Sequence, residues 1–102
     1  MDAGLKQAVL NVKQMYAPEG FIILGVFGSQ ARGNTTNKSD LDILYRVGAE
    51  TTKKYPGWDF FTLYERVRKD LEDRTGMKVD LVDADALTKT GQKFILPTVE
   101  YV

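Results

Sequence analysis

Phe21-Ile22-Ile23-Leu24-Gly25-Val26-Phe27 is an apolar run that ends directly on Gly28-Ser29. A second apolar segment, Leu41 to Val47, opens on Asp40-Leu41-Asp42. Both segments are short, rich in β-branched and aromatic residues and bounded by turn formers, so both are predicted as strands. Between them lies Gly28-Ser29-Gln30-Ala31-Arg32-Gly33 and a polar run, Asn34-Thr35-Thr36-Asn37-Lys38-Ser39. The chain is therefore organised around a strand, a Gly-Ser turn, a short connection and a strand that carries two aspartates.

Each part has a chemical reading beside a structural one. Gly28 removes a side chain where backbone and ligand could approach closely. Ser29 and the amides after it could start a short helix whose free N–H groups suit phosphate oxygens. The structural alternative is a turn with a serine cap. Asp40 and Asp42 lie two residues apart, so on a strand they share a face, about 6.6 Å apart along it. That spacing suits one or two Mg²⁺ ions, which take carboxylate, water and phosphate oxygens. The alternative is a solvated strand edge or an Asx-turn. The two motifs reinforce each other, because one strand pair brings both to the same end.

Gly-Ser, ten residues, then Asp-x-Asp resembles the minimal nucleotidyltransferases of the DNA polymerase β superfamily. The fuller form, Gly28-Ser29-Gln30-Ala31-Arg32-Gly33 with Ser39-Asp40-Leu41-Asp42, resembles the branch whose members act as antitoxins paired with HEPN ribonuclease toxins. The resemblance implies that Asp40 and Asp42 are metal ligands. It also implies that Gly28 and Ser29 contact a triphosphate, and that a third carboxylate stands on the strand after the long helix. Asp80, inside the apolar segment Lys78-Val79-Asp80-Leu81-Val82, is at that place. By the same resemblance it joins the metal site and orients or deprotonates the attacking hydroxyl. Read alone, Asp80 is a surface aspartate on an exposed face. Arg32 matches the family's arginine in Ala-Arg-Gly. Its guanidinium could meet a phosphate or brace the loop by pairing an aspartate, since it suits both geometries.

Composition narrows the chemistry. There is no cysteine and no histidine. That removes disulfides, thiolate nucleophiles, His-ligated zinc and Ser-His-Asp triads. Catalysis must rest on carboxylates, Lys, Arg, Ser, Tyr and added metal. Lys+Arg and Asp+Glu are both 14. A grip on a long nucleic-acid backbone usually needs a basic excess that this chain lacks. The longest apolar run is too short to span a bilayer, and the first twenty residues do not read as a secretory leader. A cytoplasmic location, with no membrane association, is the expectation. At 102 residues one domain over 1–102 is expected, with a modest core.

The remaining elements follow from periodicity. Leu5, Ala8, Val9, Val12, Met15 and Tyr16 recur at helical spacing and predict an amphipathic helix over 4–16. Ala17-Pro18-Glu19-Gly20 ends it. Residues 48–58 show no periodicity and are predicted as a loop. Its Tyr55 and Trp58 either pack on the core or anchor a partner. Asp59 is the expected N-cap of a second helix with Phe60, Leu63, Tyr64, Val67 and Leu71 on its apolar stripe. A Glu65–Lys69 pair is expected on its outer face, within a charge run, 65–74, read as a solvated face. Arg74-Thr75-Gly76 is the expected stop. Asp83 and Asp85 are expected as turn and cap residues. A short helix near 92–96 before Pro97 and a brief strand at 99–102 close the chain.

The expected fold is a small α/β (α+β) domain, a mixed three- to four-stranded sheet with helices mainly on one face, which is also nucleotidyltransferase-like by resemblance. The expected activity is Mg²⁺-dependent transfer of AMP from ATP to a hydroxyl, with two Mg²⁺ ions. The resemblance implies that the acceptor is a tyrosine of a HEPN toxin. Two alternatives remain open: a non-catalytic binding antitoxin, and a nucleotidyltransferase acting on a small molecule such as an antibiotic.

Overall fold

The computed structural model describes residues 1–32 and 40–102, without the side chain of Arg32. The predicted Gly33 and the polar run 34–39 lie outside the described residues, as does the role of the Arg32 side chain.

Four strands form one mixed sheet in the order β3-β2-β1-β4. They are β1 (Phe21–Phe27), β2 (Leu41–Val47), β3 (Val79–Asp83) and β4 (Glu100–Tyr101). β1 runs antiparallel to β2 and to β4, while β2 and β3 are parallel. A parallel pair needs a crossover. Here α3 (Ala49–Lys54) and α4 (Trp58–Thr75) supply it, and α4 returns the chain to the start of β3.

The core lies on one face of the sheet. Along β2, Leu41, Ile43 and Tyr45 are buried against Leu5, Val9, Val12 and Tyr16 of α1 (Ala3–Tyr16) and Leu63, Val67 and Leu71 of α4. Phe21, Ile23, Val26, Val79 and Leu81 complete it. Tyr45 stacks on Phe21 with ring centroids 4.5 Å apart. Because side chains alternate along a strand, Asp40, Asp42, Leu44 and Arg46 face the other way. β1 has a bulge between Ile23 and Gly25, the extra residue being Leu24. A Cβ on Gly25 would come within 2.4 Å of the Glu100 carbonyl, so only glycine lets the C-terminal chain pass so close to the sheet.

The strands, α1 and the stop at Gly76, whose φ is +70°, agree with the sequence reading. Several details differ. Met15 is 46 % exposed rather than in the core, beside Arg74, whose Nη2 donates to its sulfur at 3.3 Å. Residues 49–54 are helical rather than loop. This helix buries only Thr51, so it leaves no apolar period to read. It is held by tertiary bonds instead: Thr51 Oγ1 donates to the Glu19 carbonyl at 3.1 Å and the Tyr55 hydroxyl to Glu19 Oε1 at 2.6 Å.

α4 begins at Trp58, with Gly57 and not Asp59 at the cap. Gly57 has φ +58°, a conformation glycine enters at least cost, and Asp59 falls in the first turn, where an acid suits the helix dipole. Glu65 pairs with Arg68 at 2.6 Å rather than with Lys69, and Arg68 also reaches Glu72 at 2.9 Å. The charge run is more than a solvated face: Asp70 accepts from the Tyr16 hydroxyl, and Glu72 Oε2 accepts from the Val79 amide at 3.0 Å. The late helix starts earlier than expected: α5 spans Lys89–Ile95, with Thr88 capping Gly91 N. α2 (Ser29–Arg32) is the short helix after Gly28.

Candidate active site

β1 ends with Phe27 opposite Asp42, and β2 places Asp42 directly opposite Asp80 of β3. Neighbouring strands lie about 4.8 Å apart and in-register residues share a face. The pairing therefore aims both carboxylates from the side of the sheet opposite α1 and α4. Asp40 precedes β2 on the same side. Sequence spacing predicted the Asp40/Asp42 pair, and the parallel register brings Asp80 to it.

Asp42 is half-buried, whereas Asp40 and Asp80 are exposed. Its carboxyl is held above the ordinary carboxylate range, first by burial, then by the charge of Asp80, then by that of Asp40. Among the described residues no ion pair reaches any of the three. The set thus concentrates negative charge without a described counter-charge. Nor, among the described residues, do three acids close tightly enough to hold a metal ion unaided.

Gly28 turns the chain beside this set with φ +75°, and a Cβ there would lie 2.5 Å from Asp42 Oδ2. The glycine is needed twice, for its left-handed backbone and for the space the Asp42 carboxylate occupies. Ser29 follows as the first residue of α2, which packs on β1 and β2. Gln30 of that helix is 4 % exposed. No sequence pattern signals its burial, because a four-residue helix is too short to show a period.

Tyr55 and Trp58 have separate fates. Tyr55 packs against the core. Trp58 is 83 % exposed and meets Phe61 edge to face, centroids 5.9 Å apart. Since α4 must run from the end of β2 to the start of β3, Trp58 stands at the trailing end of the sheet and Asp42 at the leading end. A partner touching both must span the sheet's length.

Asp83 accepts from the Asp85 amide at 2.9 Å, as a turn former should. Asp85 pairs with Arg46 at 3.1 Å. No helix among the described residues is long and apolar enough to cross a membrane.

The family described as Polymerase beta, Nucleotidyltransferase matches residues 12–100. A solved structure described as a minimal nucleotidyltransferase is 28 % identical in sequence, with a TM-score of 0.74. The match covers 96 % of this chain and 92 % of that one. No curated protein matches.

Proposed function

We propose, from the premise that this chain belongs to the polymerase β nucleotidyltransferase family, that its open-face carboxylates transfer AMP from ATP to a hydroxyl group. Nucleotidyl transfer is the chemistry of the family. ATP as the nucleotide, Mg²⁺ as the metal and a hydroxyl as the acceptor are proposed. The observation that carries it is the register of Asp42 opposite Asp80, with the bare backbone of Gly28 against the Asp42 carboxylate.

A divalent cation fits these residues. Three acids converge, the carboxyl of the half-buried one is held above the ordinary range by burial and then by the charges of Asp80 and Asp40, and no described cation answers them. Mg²⁺ is commonly held by one or two carboxylates plus phosphate oxygens and water, which agrees with a set that does not close into a cage alone. Asp40, Asp42 and Asp80 would hold it, and two ions when bound would supply charge neutralisation to the phosphates.

The chain's own groups then divide the work. Gly28 leaves room beside Asp42, and Ser29 offers its amide and hydroxyl to the outer phosphates. Asp80, exposed at the edge of the set, takes the proton of the incoming hydroxyl. The hydroxyl oxygen bonds to the α-phosphorus as the bond to the pyrophosphate oxygen breaks, and pyrophosphate leaves. Arg32 belongs to the nucleotide-binding residues by the same family motif.

The acceptor proposed is a tyrosine hydroxyl on a protein partner, a HEPN-type toxin, silenced by the added AMP. The open sheet face supports this reading, because a docked protein can bring its own wall to an exposed carboxylate set. Asp80→Asn tests the assignment. Turnover should fall steeply while Mg²⁺-ATP binding, read by calorimetry, survives in large part, since the group acts mainly in the transition state. Lost binding with nearly unchanged turnover would place Asp80 in nucleotide binding instead.

A further inference from the structure

The open face of the sheet continues past the carboxylates into a cavity of about 410 Å³, within the range of roughly 300–1,000 Å³ typical of small-ligand pockets. Its apolar lining is the half-buried Leu24 from the β1 bulge, above the fully buried Leu44, the next residue on the Asp42 face of β2. Tyr101, brought close by the glycine at position 25, forms one wall. Arg46, Asp85 and Gln92 of α5 also line it.

The chemistry of this lining is specific. Arg46 Nε donates to Asp85 Oδ1 at 3.1 Å, so the two charges offset each other and favour neither an anion nor a cation. Gln92 Nε2 donates to the Leu87 carbonyl at 3.3 Å. That bond orients the amide and leaves its oxygen and its second N–H as an acceptor–donor pair. An apolar lining, an aromatic side chain and an acceptor–donor edge suit a flat, uncharged heterocycle with polar edges.

Position agrees. Leu44 lies about 7 Å and Arg46 about 13 Å beyond Asp42 along the strand, at 3.3 Å per residue. A nucleotide whose phosphates meet Asp42 and Asp80 would lay its ribose toward Leu44 and its base beyond. We infer that this cavity is the nucleobase site of the transferase, selecting the base by Gln92 and Tyr101. The inference rests on the nucleotidyl-transfer reading above.

The experiment is calorimetry with ATP, adenosine and inorganic tripolyphosphate, each with Mg²⁺, on the wild type, Gln92→Ala and Tyr101→Ala. Gln92 is exposed on α5, so its variant keeps the fold even if loss of Tyr101 disturbs β4, and melting curves check both. ATP should bind more tightly than tripolyphosphate. Both variants should weaken ATP and adenosine by about fivefold or more, the scale of a lost base–aromatic contact, and leave tripolyphosphate unchanged. Equal weakening of ATP and tripolyphosphate, or no change for ATP, overturns the base site while leaving the transferase reading standing. A variant that alters only self-association also overturns it, because the cavity would then be covered by a second copy. If the wild type binds neither ATP nor tripolyphosphate, the transferase reading fails and takes the base site with it.

Discussion

Gly28→Ala separates backbone strain from damage to the carboxylate set, because Gly76 offers a matched control. Both glycines sit at nearly the same left-handed angle, φ +75° and +70°. A Cβ at Gly76 meets nothing within 4 Å, whereas one at Gly28 meets Asp42 Oδ2 at 2.5 Å. The left-handed backbone costs an L-residue about 1–2 kcal/mol at either position. At Gly28 the Asp42 carboxylate must also swing away, adding about 0.5–1.5 kcal/mol for an off-rotamer side chain. Gly76→Ala should therefore lose about 1–2 kcal/mol and Gly28→Ala about 1.5–3.5 kcal/mol, read from urea midpoints at constant slope. The activities should diverge far more. Contact at 2.5 Å must open to at least 3.4 Å, and a displacement of about 1 Å at a reacting centre can cost on the order of 100-fold in rate. Transfer should fall on that scale in Gly28→Ala and hold in Gly76→Ala. Equal stability losses with equal activities would mean that the Asp42 carboxylate does not rest against Gly28, and the site geometry would be refuted.

Other consequences concern charge. Asp42→Asn should raise the melting temperature of the metal-free protein at neutral pH and remove the Mg²⁺-dependent rise seen in the wild type. The reason is that folding raises the Asp42 pKa, so its ionised form opposes folding once pH exceeds the unfolded value. A lower metal-free melting temperature would instead make Asp42 a structural partner. Tyr16 and Tyr45 are both pushed up from 10.0 to about 12, chiefly by burial, with the Asp70 hydrogen bond adding at Tyr16. A raised folded pKa stabilises below the unfolded pKa and is lost as pH climbs to the folded one. Stability should hold to about pH 10 and drop between about 10 and 12, by at most about 2.7 kcal/mol for each group. Tyrosinate absorbance should show Tyr16 and Tyr45 titrating late, with unfolding. Titration of Tyr16 and Tyr45 near pH 10 in a folded protein would contradict this.

The sheet was legible where one face is buried. Leu41, Ile43 and Tyr45 alternate with Asp42, Leu44 and Arg46, and that period puts the aspartates on one face, polar at its start and apolar at the buried Leu44. Asp80 was different. Its local pattern allowed a plain surface residue, and only the parallel register, a long-range pairing, sets it opposite Asp42. The helix at 49–54 was invisible for the same kind of reason, being held through Glu19 and Gly20 rather than by an apolar stripe. Gly48 N donates to the Gly20 carbonyl at 3.3 Å, and a Cβ on Gly20 would strike Thr51 Oγ1. Trp58 and Tyr55 could not be told apart by composition. Tyr55 is drawn inward by its bond to Glu19, while Trp58 begins α4 largely exposed, with the Phe61 ring edge-on to it. The cavity was equally hidden, since it joins a bulge at Leu24, a turn at Ala84–Ala86 and a helix from the chain's last fifth.

The central claim is that Asp42 and Asp80 serve transfer of the nucleotidyl group itself. It is tested most directly by supplying Mg²⁺ with ATP labelled at either the α- or the γ-phosphate, together with the HEPN-type partner. The α-label should become covalently fixed to the partner and the γ-label should appear in pyrophosphate, with both signals lost in Asp42→Asn. Fixation of the γ-label would make the reaction phosphoryl transfer. Neutralisation of the partner with neither label fixed would contradict the catalytic account outright.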